Sequence, residues 1–288
     1  MLDLSVCLVS LNCERVIEAC LDSFPTCSVG LNIEIIIVDN GSRDRTVSII
    51  QNRYPWVRLI CNRDNVGFVK GTNQGLALSS GRTVLWLNCD TVLPASSLTR
   101  LVEFLDQRPV VGIVGPKVLN IDGSFQPQCK RGMPTPLASI AYFTGLDKFW
   151  KRHRELGQYL LRYLPEDESA RVDAVSGCCL MAKRGVMDQI GMLDANIFAY
   201  GEDLDWCVRA TKAGWQVWYA PVASIIHLKG QGGAHSVPYK KIRGMHDGMW
   251  IFYRKHLQAN YGLATSLLIY CGIRVSFLLA VARAALFR

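Results

Sequence analysis

With 288 residues, half of them apolar and 19% charged, the chain has enough hydrophobic material for a large core, which excludes intrinsic disorder. The formal net charge of +8 is unevenly placed: residues 240–288 hold eight Lys or Arg against one acid, Asp247. Eleven cysteines, an odd number with no CxxC or Cys/His metal spacing, sit mainly in apolar runs and speak for buried, reduced thiols in a cytoplasmic protein.

The first apolar run, Leu4 to Leu11, follows Asp3 with no basic leader and reads as a β-strand rather than an export signal. Further β-branched runs occur at Ile33–Val38, Val57–Cys61, Thr83–Leu87 and Val110–Val114. Segments with helical spacing lie between them at Val16–Phe24, Thr46–Arg53, Val69–Leu78 and Leu98–Leu105. This alternation predicts an α/β fold with a mostly parallel central sheet covered on both faces. Ligands of such sheets bind at the carboxyl ends of the strands. The polar residues expected there are Ser10 and Asn12, Asp39 and Asn40, Asn62 to Asn65, and Asn88 to Asp90.

Residues 121–171 break the rhythm with four prolines and a basic-aromatic run, LDKFWKRHRELGQYLLRYL. Leu156, Tyr159, Leu160, Tyr163 and Leu164 repeat at helical spacing, so this insertion reads as a loop plus a helix. It is either an acceptor lid or membrane contact, or a surface helix with a solvated basic face. A strand is expected over Val172–Ala182, a helix from about Leu204 to Ala213, and strands near Val217–Tyr219 and Ser224–His227. In the tail, Leu263 to Ala282 carry one charge, Arg274. The favoured reading is a helix in the interface of an anionic membrane. The alternatives are a helix packed on the protein or a second copy, and a membrane span, which the arginine disfavours.

Three places carry chemistry. Asp90, in Leu87-Asn88-Cys89-Asp90-Thr91 at the end of a buried strand, is placed to hold a hard cation against a diphosphate, or else to cap the following helix. In Tyr200-Gly201-Glu202-Asp203-Leu204-Asp205-Trp206, a carboxylate in a partly desolvated turn suits proton abstraction. The same acids are also what a helix N-terminus attracts, and Asp205 can pair with Arg209 one turn on. His227, before a glycine-rich stretch, is a metal ligand, a phosphate contact or a structural histidine. The chain has no GxGxxG after a strand, no Walker A motif and no GxSxG elbow, against dehydrogenase, P-loop and α/β-hydrolase readings.

Taken in order, these pieces resemble the bacterial family 2 glycosyltransferases of the GT-A fold, in particular the rhamnosyltransferase-like branch. The matching residues are Val9-Ser10-Leu11-Asn12, Ile37 to Asp44, Asn65-Val66-Gly67-Phe68 with Gly71 and Asn73, Leu87 to Thr91, Val175 to Met181, Phe198 to Asp205, Ala213-Gly214-Trp215, and His227. The resemblance implies a nucleotide-sugar donor contacted by Ser10, Asn12 and Asp39, with Asn65, Gly67 and Asn73 shaping its pocket. It implies Mg²⁺ or Mn²⁺ on Asp90 and His227, beside Asn88, which stands where an aspartate is commoner and leaves one charge fewer. Asp203 would be the general base, Glu202 would orient the acceptor or support Asp203, and inversion would be the outcome.

The expected divisions are a glycosyltransferase domain over 1–238, comprising a donor half (1–120), the insertion (121–171) and an acceptor half (172–238), followed by a membrane-associating tail (239–288). The expected activity is hexosyl transfer, L-rhamnose from dTDP-rhamnose by first choice, to a lipid-linked or cell-envelope glycan at the cytoplasmic face of the inner membrane. A homo-oligomer is a further possible partner arrangement. Competing readings are a non-catalytic nucleotide-sugar-binding protein and a nucleic-acid-binding protein. Basic charge gathered beside an apolar tail, rather than across the core, argues against nucleic acid.

Overall fold

The computed structural model describes residues 2–150, 153–230 and 238–286. Strands β1 (Leu4–Ser10), β2 (Ile33–Asp39), β3 (Arg58–Cys61) and β4 (Thr83–Asn88) alternate with helices α1 (Ile17–Asp22), α2 (Phe24–Cys27), α3 (Thr46–Arg53) and α4 (Phe68–Ala77). The two-residue strand β5 (Thr91–Val92), helix α5 (Ser97–Asp106) and strand β6 (Val111–Leu119) follow. These strands form where the sequence is continuously apolar, because both faces of the sheet are covered: Val6, Leu8, Ile36, Ile37, Leu85 and Ile113 are all sealed from solvent.

With β10 (Cys179–Lys183) and β11 (Gln216–His227), the main sheet runs β3-β2-β1-β4-β10-β6-β11-β5, and β8 (Ala170–Arg171) lies alongside β11. Its first four strands are parallel, with Leu4 aligned to Ile33 on one side and Thr83 on the other. β10 is antiparallel to both β4 and β6, while β6 and β11 are parallel, so the second half is mixed. The run expected as one strand over Val172–Ala182 is interrupted by a loop at Ser176–Cys178, leaving β9 (Ala174–Val175), paired with β7 (Lys130–Arg131), and β10. The two strands expected over 217–227 are one long bulged strand, β11.

In the insertion, regular helix appears earlier than the apolar spacing suggests, as α6 (Pro136–Thr144) and α7 (Leu146–Phe149). Pro136 occupies the first turn of α6, and Thr135 caps it by accepting from Ala138 N–H. The segment 154–163 forms turns instead of the expected helix. Leu161 adopts φ +46°, Tyr159 C=O accepts from Gly132 N–H, and the ammonium of buried Lys130 bonds the carbonyls of Leu164 and Pro165. Tertiary partners thus take the carbonyls that a helix would have used. Lys151 and Arg152 of the basic-aromatic run lie outside the described residues.

α8 (Arg184–Ile190) and α9 (Glu202–Lys212) precede β11, and the chain ends in a hairpin of α10 (Pro238–His256) and α11 (Leu263–Leu286). The hairpin is joined by Tyr253 to Ser266 at 2.9 Å, His246 to Ser276 at 3.1 Å, and an edge-on Trp250–Tyr270 contact. α11 is long and apolar enough over Leu263–Ala285 to cross a membrane, and Leu267, Leu268, Val275, Leu278 and Leu279 are exposed.

α10 also docks on α9. Fully buried Asp205 receives Arg209 (2.9 Å), Lys255 (2.8 Å) and His256 (2.7 Å). Burial opposes its charge, but those hydrogen bonds win and hold its carboxyl far below the usual range. Gly248 meets the turn before α9 so closely that a Cβ there would sit 2.2 Å from Tyr200 O.

Candidate active site

The loop leaving β4 is held to the end of β11 by strand pairing: Thr91 aligns with His227, and Leu228 N–H donates to Asp90 C=O at 2.8 Å. Asp90 and His227, distant in sequence, are thereby brought together. Asp90 Oδ1 lies 3.3 Å from His227 Nε2, and Asp90 Oδ2 accepts from Gly230 N–H at 3.0 Å. Asn88 Nδ2 is 3.4 Å from the same ring nitrogen. Gln126 orients the ring from behind: its Oε1 is 3.2 Å from Nδ1, and its Nε2 donates to His227 C=O. Burial raises the Asp90 carboxyl, but bonds from His227 and Gly230 reverse the balance and leave it below its ordinary value. Burial likewise opposes the imidazolium of His227, yet hydrogen bonds with Asp90 and Cys178 raise it to about 10. Gln231 to Gly233 of the glycine-rich stretch lie outside the described residues.

The second acidic cluster begins with two left-handed residues, Tyr200 (φ +70°) and Gly201 (φ +96°), which swing the chain into α9. Asp203 Oδ2 accepts from Arg131 Nη2 at 2.6 Å and from Gly177 N–H at 2.8 Å. Arg131 also donates to Val175 C=O, while its buried Nε has no partner among the described residues. Glu202 is buried, and its Oε2 has no partner among the described residues. Burial first, and the adjacent Asp203 charge second, raise its carboxyl to about 8, so it keeps its proton at neutral pH.

The loop Ser176–Cys178 bridges the two clusters. Gly177 N–H reaches Asp203, and Cys178 C=O accepts from Asn88 N–H at 3.0 Å. Tyr200 reports the same proximity. Burial, then the charges of Glu202 and Asp90, push its hydroxyl up to about 12, so both clusters act on one phenol. The aspartates at 90 and 203 therefore belong to one region at the carboxyl end of the sheet.

The residues expected around the donor hold the neighbouring loops. Asp39 accepts from Ser10 Oγ (2.9 Å), Ser42 Oγ, Gly41 N–H and Ser42 N–H, and is itself buried. Asn12, at φ +50°, accepts from Arg43 N–H. Asn65 caps the turn into α4 through Gly67 N–H. Gly67 has φ +95°, and a Cβ there would lie 2.8 Å from the Phe198 ring. Asn73 uses both ends of its amide on Leu193, donating to its C=O and accepting from its N–H. Asn73 thus ties α4 to the 190s loop, with its amide spent on protein.

Two site residues were not visible in the sequence reading. Arg131 sits in a proline-rich stretch where a cation reads as surface charge, and Gln126 belongs to no motif; only tertiary packing brings them to Asp203 and His227.

Among the described residues no three His, Cys, Asp or Glu side chains converge as a closed metal site. The donors present are one carboxylate, one imidazole and the Asn88 amide. So sparse a set fits a hard divalent ion that completes its shell with substrate phosphate and water.

Comparison with known proteins supplies the family. The family model for glycosyl transferase family 2 matches residues 5–188. The N-acetylglucosaminyl-diphospho-decaprenol L-rhamnosyltransferase of Mycobacterium tuberculosis is 30% identical over 234 residues, 76% of this chain and 74% of that protein. A low-salt glycan biosynthesis hexosyltransferase of Haloferax volcanii is 26% identical over 200 residues, 67% of this chain and 58% of the relative. Among solved structures, S. aureus TarS superposes with a TM-score of 0.56 at 16% identity, over 96% of this chain and 44% of TarS. GalNAc-T7 with UDP, GalNAc and Mn²⁺ gives 0.54 at 16% identity, over 90% and 51%. The chain thus spans about half the length of these two solved structures or less, and they share its GT-A fold. The match over residues 5–188, with the rhamnosyltransferase likeness, places the chain in glycosyl transferase family 2.

Proposed function

We propose that this enzyme is an inverting hexosyltransferase that moves L-rhamnose from dTDP-rhamnose to a lipid-linked or cell-envelope glycan at the cytoplasmic face of the membrane. The observation that carries the reading is the convergence of Asp90–His227 and Glu202–Asp203 across the loop Ser176–Cys178. Asp203 takes the proton of the acceptor hydroxyl, and that oxygen attacks the anomeric carbon. The electron pair of the breaking bond leaves with the diphosphate, and one displacement inverts the configuration. Protonated Glu202 adds no second negative charge beside the base. Asp90 and Asn88, joined by His227 once its ring has given up its proton, would hold a Mg²⁺ or Mn²⁺ ion, which when bound would neutralise charge on the departing diphosphate. The rhamnosyl donor and lipid-linked acceptor are supported by the mycobacterial relative's name and similarity, and the membrane location by the exposed apolar α11 beside a basic segment.

Thermal shift of the purified protein against a panel of nucleotide-sugars, with and without Mg²⁺ or Mn²⁺, followed by transfer assays, tests the assignment. Metal-dependent stabilisation by dTDP-rhamnose above the other donors is expected. Preference for another donor would overturn the rhamnosyl assignment. Donor binding without turnover across an acceptor panel would favour the non-catalytic reading.

A further inference from the structure

α6 is built inside out for a helix on a water-soluble domain. Its small residues Ala138 and Ala141 face the protein and are fully buried, whereas Leu137, Ile140 and Phe143 are 47%, 58% and 57% exposed. Spacing of three residues keeps these side chains on one face. The face continues through Leu146 and ends at Phe149 and Trp150, which are 83% and 54% exposed.

The charges around it are sorted. Asp147, the acid between Leu137 and Trp150, is turned inward, buried, and paired with Arg162 at 2.6 Å. Lys148 and Arg154 are exposed at the aromatic end, beside His153 and one exposed acid, Glu155. An outward apolar surface with more cations than acids at its rim, and with Asp147 withdrawn, complements a surface that is apolar inside and anionic at its edge. Tryptophan and phenylalanine beside lysine and arginine are the residues that settle at the headgroup level of a bilayer.

We infer that the outward face of α6 and α7 is a docking surface for an anionic lipid bilayer, separate from α11. Behind this face the protein leads directly to the catalytic carboxylate. Tyr142 of α6 packs edge-on against Tyr159 with ring centroids 5.0 Å apart, the Tyr159 hydroxyl feels the charge of the Arg131 guanidinium, and Arg131 holds Asp203. A bilayer on α6 and α7 therefore lies three side chains from the proposed base, where a lipid-borne acceptor hydroxyl would be delivered. This deepens the membrane-acceptor reading above.

Hydrogen–deuterium exchange of the full chain tests the surface without requiring turnover, so its failure is distinct from failure of the transferase assignment. Exchange is followed in solution, with phosphatidylcholine vesicles, and with vesicles containing about one-third phosphatidylglycerol. Amides of residues 137–150 are expected to exchange several-fold more slowly only with the anionic vesicles. The combined variant Ile140→Ser, Phe143→Ser, Phe149→Ser, Trp150→Ser should lose that protection while α11 keeps its own. Unchanged exchange over 137–150 alongside protection of α11 would overturn the proposal. So would protection that grows with protein concentration in the absence of vesicles, which would assign the face to a second copy of the chain.

Discussion

The guanidinium of Arg131 and the carboxylate of Asp203 meet at 2.6 Å with side chains only 9% and 11% exposed. One Asp203 oxygen is taken by Arg131 and Gly177, so the carboxylate is fixed in orientation before any substrate arrives. Asp203→Asn keeps this shape without the base, and kcat should fall by about 10²–10⁴-fold with donor-induced stabilisation retained. Undiminished transfer by this variant would remove Asp203 from the mechanism.

Removing the other partner has a different signature. Arg131→Met strands a buried carboxylate and should destabilise the fold by about 3–5 kcal/mol. Adding Asp203→Asn to that variant should restore part of the melting temperature, because the stranded charge is gone. A double variant no more stable than Arg131→Met would show that the arginine acts by packing rather than by charge.

Glu202 gives a stability–pH relation of unusual sign for an acid. Its folded-state value, about 8, lies above the ordinary 4.5, so the folded chain binds more protons between these limits. Its contribution is present below about pH 4.5 and is lost as pH rises through 8. Glu202→Gln should therefore gain in melting temperature relative to wild type on going from pH 5 to pH 9, by several degrees. A constant difference between the two proteins across that range would contradict the assignment.

Asp205 titrates in the opposite sense, with stability present above the ordinary aspartate range and lost as pH falls. Because Lys255 and His256 come from α10, a chain ending at residue 260 should unfold in one transition near wild type while sedimenting less with membranes. One ending at residue 237 leaves Arg209 as the remaining partner and should lack a cooperative transition. A well-folded short chain in circular dichroism melts would show that the clamp is dispensable.

Gly67 combines a left-handed backbone with direct contact to Phe198. Gly67→Ala should destabilise by about 1–3 kcal/mol and weaken stabilisation by nucleotide-sugars, as α4 and the 190s loop separate. Calorimetric melts with and without donor check both effects.

What the sequence made legible follows from range. β1, β2 and β4 announce themselves because a strand buried on both faces must be apolar at every position; Asp90 follows such a strand, and Asp203 stands in the first turn of a helix that its acids mark. The direction of β10 left no trace, since a short, mostly apolar run reads alike either way. Leu156 to Leu164 carry helical spacing, but the Tyr159 carbonyl is taken by Gly132 and that of Leu164 by Lys130, which the spacing cannot register. Arg131 is the clearest omission: 72 residues separate it from Asp203, and nothing in KRGMP marks the cation as interior.

The clamp on Asp205 also sets an order of events in biosynthesis. The helix bearing the proposed base is made before residue 213, yet two of the three partners of Asp205, Lys255 and His256, are translated more than forty residues later. A nascent chain thus carries the catalytic helix for some time with that charge incompletely compensated. The site reaches its final form only after the first arm of the terminal hairpin has left the ribosome, when that arm closes over α9.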